Sequence, residues 1–304
     1  MIKTINFIAG EGECGRIDKV AVLHDVARSV FSLPSCTIII NGKESKKSAK
    51  CKAGDQCTIT WEDLAFNGNI VAEDIPLDIL YEDDDILVIN KPSGQVVHPA
   101  PGNYTGTIVN ALLYRYGDDF NTIEDDEDVV RPGIVHRLDK DTSGVMVIAK
   151  SGKVHKALAS QFAEHSTCKH YIAIVKGSFV ENRGKIERRI ARSERDRKLF
   201  DVTDSKVKGK EALTYYTVLR NLPGYAFIKV RLETGRTHQI RVHMKSINHP
   251  IVGDVLYSRK DPNFPDAELM LHSLSLELTH PTTGERMKFV APLPQRFATL
   301  IRSL

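Results

Sequence analysis

The rhythm of apolar and polar positions changes twice along this 304-residue chain. Residues 16–30, RIDKVAVLHDVARSV, place apolar side chains at helical spacing. The stretch that follows, CTIIINGKESKKSAKCKAGDQCTITWED, reads as short strands broken by turns. Asn41-Gly42 between apolar runs is a strong hairpin signal, and Ala53-Gly54-Asp55 leads into a strand over residues 57–61. Residues 1–65 thus form a small separate unit, and the polar residues 66–74 form a linker. From residue 75 to 304 strands and turns dominate. Strands are predicted over 86–90, 134–136, 145–149, 171–175 and 226–232, and helices over 107–116, 153–164 and 237–245. No internal repeat interrupts them. The pattern predicts an α+β fold, with a large mixed or mainly antiparallel sheet and a few helices, not the regular alternation of a doubly wound fold.

Hydrophobic residues make up 41% of the chain and charged residues 27%, the balance of an ordinary globular protein. No apolar run approaches the ~20 residues needed to span a bilayer, and the polar start is no secretory signal, so the expected location is cytoplasmic. Five cysteines, odd in number and without a CxxC pair, read as reduced thiols. His155, His165 and His170 read as a solvated helix face, and no metal or cofactor is indicated.

Net charge is only +3, but it is unevenly spread. Residues 118–128 hold seven acids and no base, whereas residues 183–210 hold eleven Lys/Arg against five Asp/Glu. The second stretch, with Arg188, Arg189 and Arg192 near its centre, is either a solvated loop or a basic arm for phosphates.

Three segments carry candidate chemistry. GIVHRLDKDTSGVMVIAK (133–150) sets Asp139 between Arg137 and Lys140, after an expected strand and before a Thr-Ser-Gly turn. Nearby cations favour the ionised carboxylate, giving a nucleophile or base at neutral pH. An exposed charged turn is the plainer reading of the same spacing. LETGRTHQIRVHMKSINHPIVGD (232–254) places Arg236, His238, Arg241 and His243 within eight residues, either as a polar cap or as cations for an acid and for phosphates. INKPSGQVVHPAPGN (89–103) is too rich in Pro and Gly to be anything but a shaped loop.

Taken in this order, with KHYIAIVKG (169–177), HPIVGDVLY and LMLHSLSLELTHPTTGE, these segments closely resemble the RluA/RluD family of RNA pseudouridine synthases over residues 75–295. The N-terminal unit is similar to the S4-like RNA-binding domain that precedes many members, through RIDK, the NGK turn and the KAGD turn. Between Ala27 and Cys36 it is shorter than that pattern and lacks the basic second helix, so it reads as partly degenerate.

The resemblance implies an isomerase without a cofactor, acting on RNA as a monomer. It implies Asp139 as the essential acid, Arg236 as its ion-pair partner, and Tyr171 stacked on a flipped uracil. Arg137 would fill the gap left by the base, with His136, Lys140, His238, Arg241 and the basic arm (Arg188, Arg189, Arg192) as further RNA contacts. Large-subunit ribosomal RNA is the expected substrate, with transfer RNA the alternative. An RNA-binding protein without catalysis would not need Asp139, Arg236 and Tyr171 together. A glycoside hydrolase would usually need a second carboxylate, for which Asp141 is the nearest candidate.

Overall fold

In the computed structural model the strand-rich first residues pair as β1 (Ile2–Ile8), β2 (Gly15–Arg16), β3 (Thr37–Ile40), β4 (Lys43–Glu44), β5 (Lys50–Cys51) and β6 (Gln56–Glu62). The structure describes residues 2–26, 30–31, 33, 35–62, 70–100, 103–117, 120, 133–196, 199–205 and 207–304. They fall into two compact units, Met1–Ile70 and Val71–Leu304. Most of the acidic stretch 118–128 and part of the expected linker lie outside the described residues.

In the first unit a sheet of order β1-β6-β3-β4 packs Ile38, Cys57, Ile59 and Trp61 against Ile17, Val20 and Ala21. Asn41 and Gly42 both take positive φ (50° and 76°), as the tight turn between β3 and β4 requires. The helix expected over 16–30 is much shorter than its periodicity predicts. It consists of α1 (Ile17–Val20) and one 3-10 turn (Ala21–His24), stopped by Asp25 at φ 59°. Two causes are visible. Arg16 offers no capping oxygen at the N-terminus, and valines at 20, 22 and 26 are stiff β-branched residues.

The second unit is built on β7 (Ile79–Glu82), β8 (Ile86–Lys91), α2 (Ile108–Tyr116), β9 (Ser143–Ala149), α3 (Gly152–Ala163), β10 (Cys168–Lys176), β11 (Arg183–Glu187), β12 (Arg189–Arg192), β13 (Phe200–Thr203), β14 (Leu213–Leu222), β15 (Tyr225–Leu232), α4 (Gln239–Ser246), β16 (Leu271–Thr279), β17 (Arg286–Val290) and α5 (Gln295–Arg302). Nine strands make one sheet of order β11-β14-β15-β10-β16-β9-β8-β7, with β17 added to β16. Every neighbour pair is antiparallel except β16 with β9, so the α+β expectation of a mainly antiparallel sheet holds. A hairpin of β12 and β13 stands apart from it.

The single parallel contact fixes where the loop before β9 enters the sheet. His272 and Ser273 lie beside Ser143 and Gly144, where a Cβ on Gly144 would strike the Ser273 carbonyl. Only glycine permits that approach, and it also accepts the φ of 115° found there. Behind it, Ile86, Val88, Val145, Val147, Val154, Leu158, Leu276 and Phe289 fill the core between sheet and α3. Both β8 and β9 are buried on both faces, which explains why they read as unbroken apolar runs in the sequence. The strand expected over 134–136 is instead a loop touching β9 at one bridge, Ile134 to Ile148. No helix among the described residues is long and apolar enough to cross a membrane.

Candidate functional site

The loop 133–142 is fixed from beneath by the Pro- and Gly-rich loop that follows β8. Lys91, with 0% exposure, donates its three ammonium protons to the carbonyls of Pro92 (2.8 Å), Gln95 (2.8 Å) and Lys140 (2.9 Å). The Gly94 N–H donates to the same Lys140 carbonyl at 3.0 Å, and Ser93 Oγ donates to the Asp141 carbonyl at 2.9 Å. The turn closes on itself through Thr142 N–H to Asp139 O, 3.1 Å. Burial pushes the Lys91 ammonium down to about 7, against the pull of Asp141 and Asp139. Asp139 therefore opens a turn whose backbone is held at both ends.

Facing it is α4, whose residues Gln239 to Met244 are all buried. Arg241 and His243 are buried alongside Ile240 and Val242, so apolar spacing alone does not mark which of its charges point inward. His238, at φ 55°, turns the chain into this helix, while Gln239 accepts from Thr234 Oγ1 and from the Arg236 N–H, both at 2.9 Å.

The guanidinium of Arg241 has 4% of its side chain exposed and joins two carboxylates. Nε and Nη2 hold Asp254, which is wholly buried, at 2.7 and 2.8 Å, and Nη1 reaches Asp139 Oδ2 at 3.2 Å. Asp254 also accepts the backbone N–H groups of Leu256 and Tyr257, both at 3.0 Å. Burial opposes the charge on Arg241, but hydrogen bonds and attraction from Asp254 and Asp139 raise its pKa above the ordinary arginine value.

Arg241, not Arg236, is thus the cation paired with Asp139. Arg236 lines the same cleft, but its Nε donates to the Glu211 carbonyl at 2.9 Å and its backbone is tied to Gln239. The reason is the helix start. Arg236 lies in the turn before α4, and Arg241 lies inside it on a buried face. Arg241 is for the same reason too enclosed to serve as an open RNA contact.

His136 also departs from expectation. Its Nε2 accepts the Val147 N–H at 3.0 Å, and its ring stacks on Phe162 at 4.5 Å. Burial drives its pKa to about 3, so it is a neutral brace for the loop, packed between Val147 and Phe162. His170, expected on a helix, is on β10.

Arg137, Leu138, Asp139, Thr142, Tyr171, Leu232, Gly235, Arg236, His238, Arg241 and Leu271 are among the residues lining a cleft of about 150 Å³. Tyr171 is 8% exposed, and burial, with the charge of Asp139 adding to it, pushes its hydroxyl to about 12, so it stays protonated at neutral pH. His238 Nε2 stands 3.9 Å from Asp139 Oδ1, with Nδ1 2.7 Å from the Tyr257 hydroxyl. Burial lowers its pKa more than Asp139 raises it, so the imidazole is neutral. Arg137 is exposed at the rim and Lys140 beside it, 3.5 Å from Asn103 Oδ1. Asp139 is the one carboxylate lining this cleft among the described residues, and Asp141 is not part of the lining. The paired acids of a glycoside hydrolase are therefore not assembled here.

The basic arm takes definite shape. Arg188 pairs with Asp204 at 2.9 Å, and Arg189 pairs with Glu211 at 2.9 Å and donates to the Lys208 and Gly209 carbonyls. Arg192 lies over the Phe200 ring at 5.5 Å, and Phe200 meets His238 edge-on at 5.7 Å. The β12–β13 hairpin therefore borders the cleft, with two of its three central arginines already bound to carboxylates.

Three residues escaped sequence reasoning. Lys91 and Asp254 sit in motifs noticed only as shapes. Lys169, 9% exposed, shares the Tyr171 side of β10 by strand alternation, with its ammonium near Gly235 and over the Phe162 ring at 5.8 Å. Burial lowers its pKa.

Residues 85–246 match a family model described as RNA pseudouridylate synthase. The chain is 43% identical to an uncharacterized RNA pseudouridine synthase, YlyB, of Bacillus subtilis, over 88% of this chain and 85% of that one. It is 39% identical to ribosomal large subunit pseudouridine synthase D of Pseudomonas aeruginosa, over 95% of this chain and 92% of that one. Among solved structures, human RNA pseudouridylate synthase domain containing 4 is similar with a TM-score of 0.58 and 25% identity, covering 73% of this chain and 90% of that one.

Proposed function

The chain belongs to the RluA/RluD family of RNA pseudouridine synthases, enzymes that isomerise uridine in RNA, and we propose that it acts on large-subunit ribosomal RNA with Asp139 as the catalytic residue. The observation that carries the second part is the seat of Asp139: a carboxylate at the lip of a cleft, on a braced turn, bonded to a buried guanidinium. The first part rests on the names of relatives, such as the Pseudomonas aeruginosa synthase.

The reaction breaks the bond between ribose and a uracil ring nitrogen and joins the same ribose carbon to a ring carbon. The nitrogen gains a proton and the carbon loses one, so nothing is consumed. The uridine must leave its stack to reach Asp139, at a cost of a few kcal/mol. In the proposed complex Asp139 acts on the ribose or the base. Tyr171 supplies a face for the uracil, a contact of about 1–3 kcal/mol in single-strand recognition. Arg137 at the rim fills the place the base vacates or holds its phosphate. Arg241 orients Asp139 and keeps it ionised.

The test is to map pseudouridines in ribosomal and transfer RNA from cells with and without this gene. The proposal expects loss of one or more sites in large-subunit ribosomal RNA. Loss confined to transfer RNA would overturn the substrate, and no loss in either would overturn both.

A further inference from the structure

Strand alternation gives the sheet a second face. On β10, Tyr171 points into the catalytic cleft and its neighbour His170 points to the opposite side; on β15, Leu232 and Arg231 divide in the same way. On that opposite side the antiparallel register aligns Lys185, Tyr215, Arg231 and His170 in one row. Arg183, Thr217 and Lys229 align in the next. These two rows line a groove of about 440 Å³. Four cations from two strands stand within a patch of roughly 7 by 10 Å, given ~3.3 Å per residue along a strand and ~4.8 Å between strands.

Like charges so close on a sheet cost stability unless something offsets them. Lys185 is paired with Glu187 and Arg231 with Glu233, at 2.9 and 2.8 Å, along the edge of the patch. Arg183 and Lys229 have no carboxylate partner among the described residues. Burial first, then the positive charge of Lys229, Lys288 and Arg231 against the opposing Glu277, holds His170 below its ordinary pKa. The Arg231 guanidinium lies 4.7 Å over the Tyr215 ring, making a flat cationic platform.

We propose that this groove, on the side of the sheet away from Asp139, binds the sugar-phosphate backbone of a second segment of the RNA being modified. The inference rests on the reading of the chain as an enzyme of ribosomal RNA. Unpaired cations complement phosphates, an arginine-capped tyrosine accepts a base face, and a long folded RNA extends beyond any one cleft. The groove contributes affinity and orientation, and the chemistry stays on the other face.

The experiment compares wild type with Arg183→Gln/Lys229→Gln in binding two transcripts across a salt series. One is full-length large-subunit ribosomal RNA, and the other is a minimal stem-loop around its mapped target uridine. Two lost phosphate contacts should flatten the log affinity–log salt slope by about 1.4 on the long RNA, at ~0.7 each. Between 50 and 200 mM salt, wild type should then lose about sevenfold more affinity than the variant. On the stem-loop the two proteins should match, and turnover on saturating long RNA should be unchanged. An unaltered slope on the long RNA would overturn the proposal, and so would an equal change on the stem-loop, which signals only the field of the whole protein. Should the double variant fail to fold, Arg183→Gln alone, on the exposed edge strand, tests the same slope at half the amplitude. Failure of the ribosomal reading is separately visible, because wild type itself would then leave the long transcript unmodified.

Discussion

Replacing Arg241 removes two ion pairs with different consequences. Toward Asp254 the guanidinium is half of a buried, bidentate pair, and Arg241→Ala leaves a carboxylate with 0% side-chain exposure facing no cation. Breaking such a pair from one side costs about 3–5 kcal/mol. For a unit of this size that lowers the melting temperature by roughly 6–20 °C, at ~2–4 °C per kcal/mol. Toward Asp139 the loss is one charge-assisted bond of ~1.5–3 kcal/mol, which slows turnover roughly 10- to 150-fold if the bond persists in the transition state. Arg241→Lys should recover part of the stability and little of the rate, since one ammonium cannot hold Asp254 in bidentate fashion and still reach Asp139. Arg241→Met/Asp254→Leu should recover stability without activity, because an apolar pair can replace a buried ionic one. Arg236→Ala removes a bond to one carbonyl and should cost no more than about 1 kcal/mol. The assays are thermal melting and single-turnover pseudouridine formation. An Arg241→Ala protein that melts with wild type, or an Arg236→Ala protein that melts as low as Arg241→Ala or lower, would refute the assignment of the ion pair.

Lys91→Met should slow turnover and lower stability, because the carbonyls of Pro92, Gln95 and Lys140 lose the ammonium that gathers them and the turn carrying Asp139 loosens; an unchanged rate in the folded variant would deny the brace its role. Stability should fall as pH drops from about 6.5 toward 4, because burial holds His272 near 4 in the folded protein while the unfolded chain takes up its proton at ~6.5. The share of His272 in that window is roughly 3 kcal/mol, beside that of His136, and His272→Asn should reduce the slope in urea unfolding followed against pH, whereas an unreduced slope would clear this histidine. On the β12–β13 hairpin, Arg192→Gln should reduce the salt slope of RNA binding by about 0.7, while Arg188→Gln should change it less, because Asp204 already neutralises Arg188; equal effects would mean that Arg188 leaves its carboxylate to reach phosphate.

The strands that carry the site were readable where their burial matched a simple rhythm. Residues 226–232 alternate and became β15, and the apolar run 86–90 became β8 with Lys91 at its end. The helix expected over 107–116 became α2, which the Thr107 hydroxyl closes by accepting from the Asn110 N–H. Asp139 was marked by its motif, and the cleft brings it together with Arg137, Tyr171, Arg236 and His238. What the sequence hid were long-range choices. Nothing local separates Arg236 from Arg241; the difference arises from the left-handed turn at His238 and from Asp254, thirteen residues past Arg241. His136 lies three residues before Asp139 in the same motif, yet the bend of the loop toward Val147 turns it inward. The basic stretch read as one arm divides between a hairpin at the cleft and an edge strand whose Arg183 and Lys185 face the other side.

Everything proposed for the cleft turns on Asp139, and Asp139→Asn tests its role with the smallest change in shape. The amide keeps the size of the carboxylate at the lip of the cleft but offers Arg241 a weaker acceptor, and it can act as neither nucleophile nor base. Single-turnover pseudouridine formation should be measured on the mapped ribosomal RNA segment, with binding and melting recorded on the same preparation. The expected result is affinity close to wild type, a melting temperature within a few degrees of it, and no detectable isomerisation. Pseudouridine formed by Asp139→Asn at a rate approaching wild type would contradict the assignment of Asp139 as the catalytic residue.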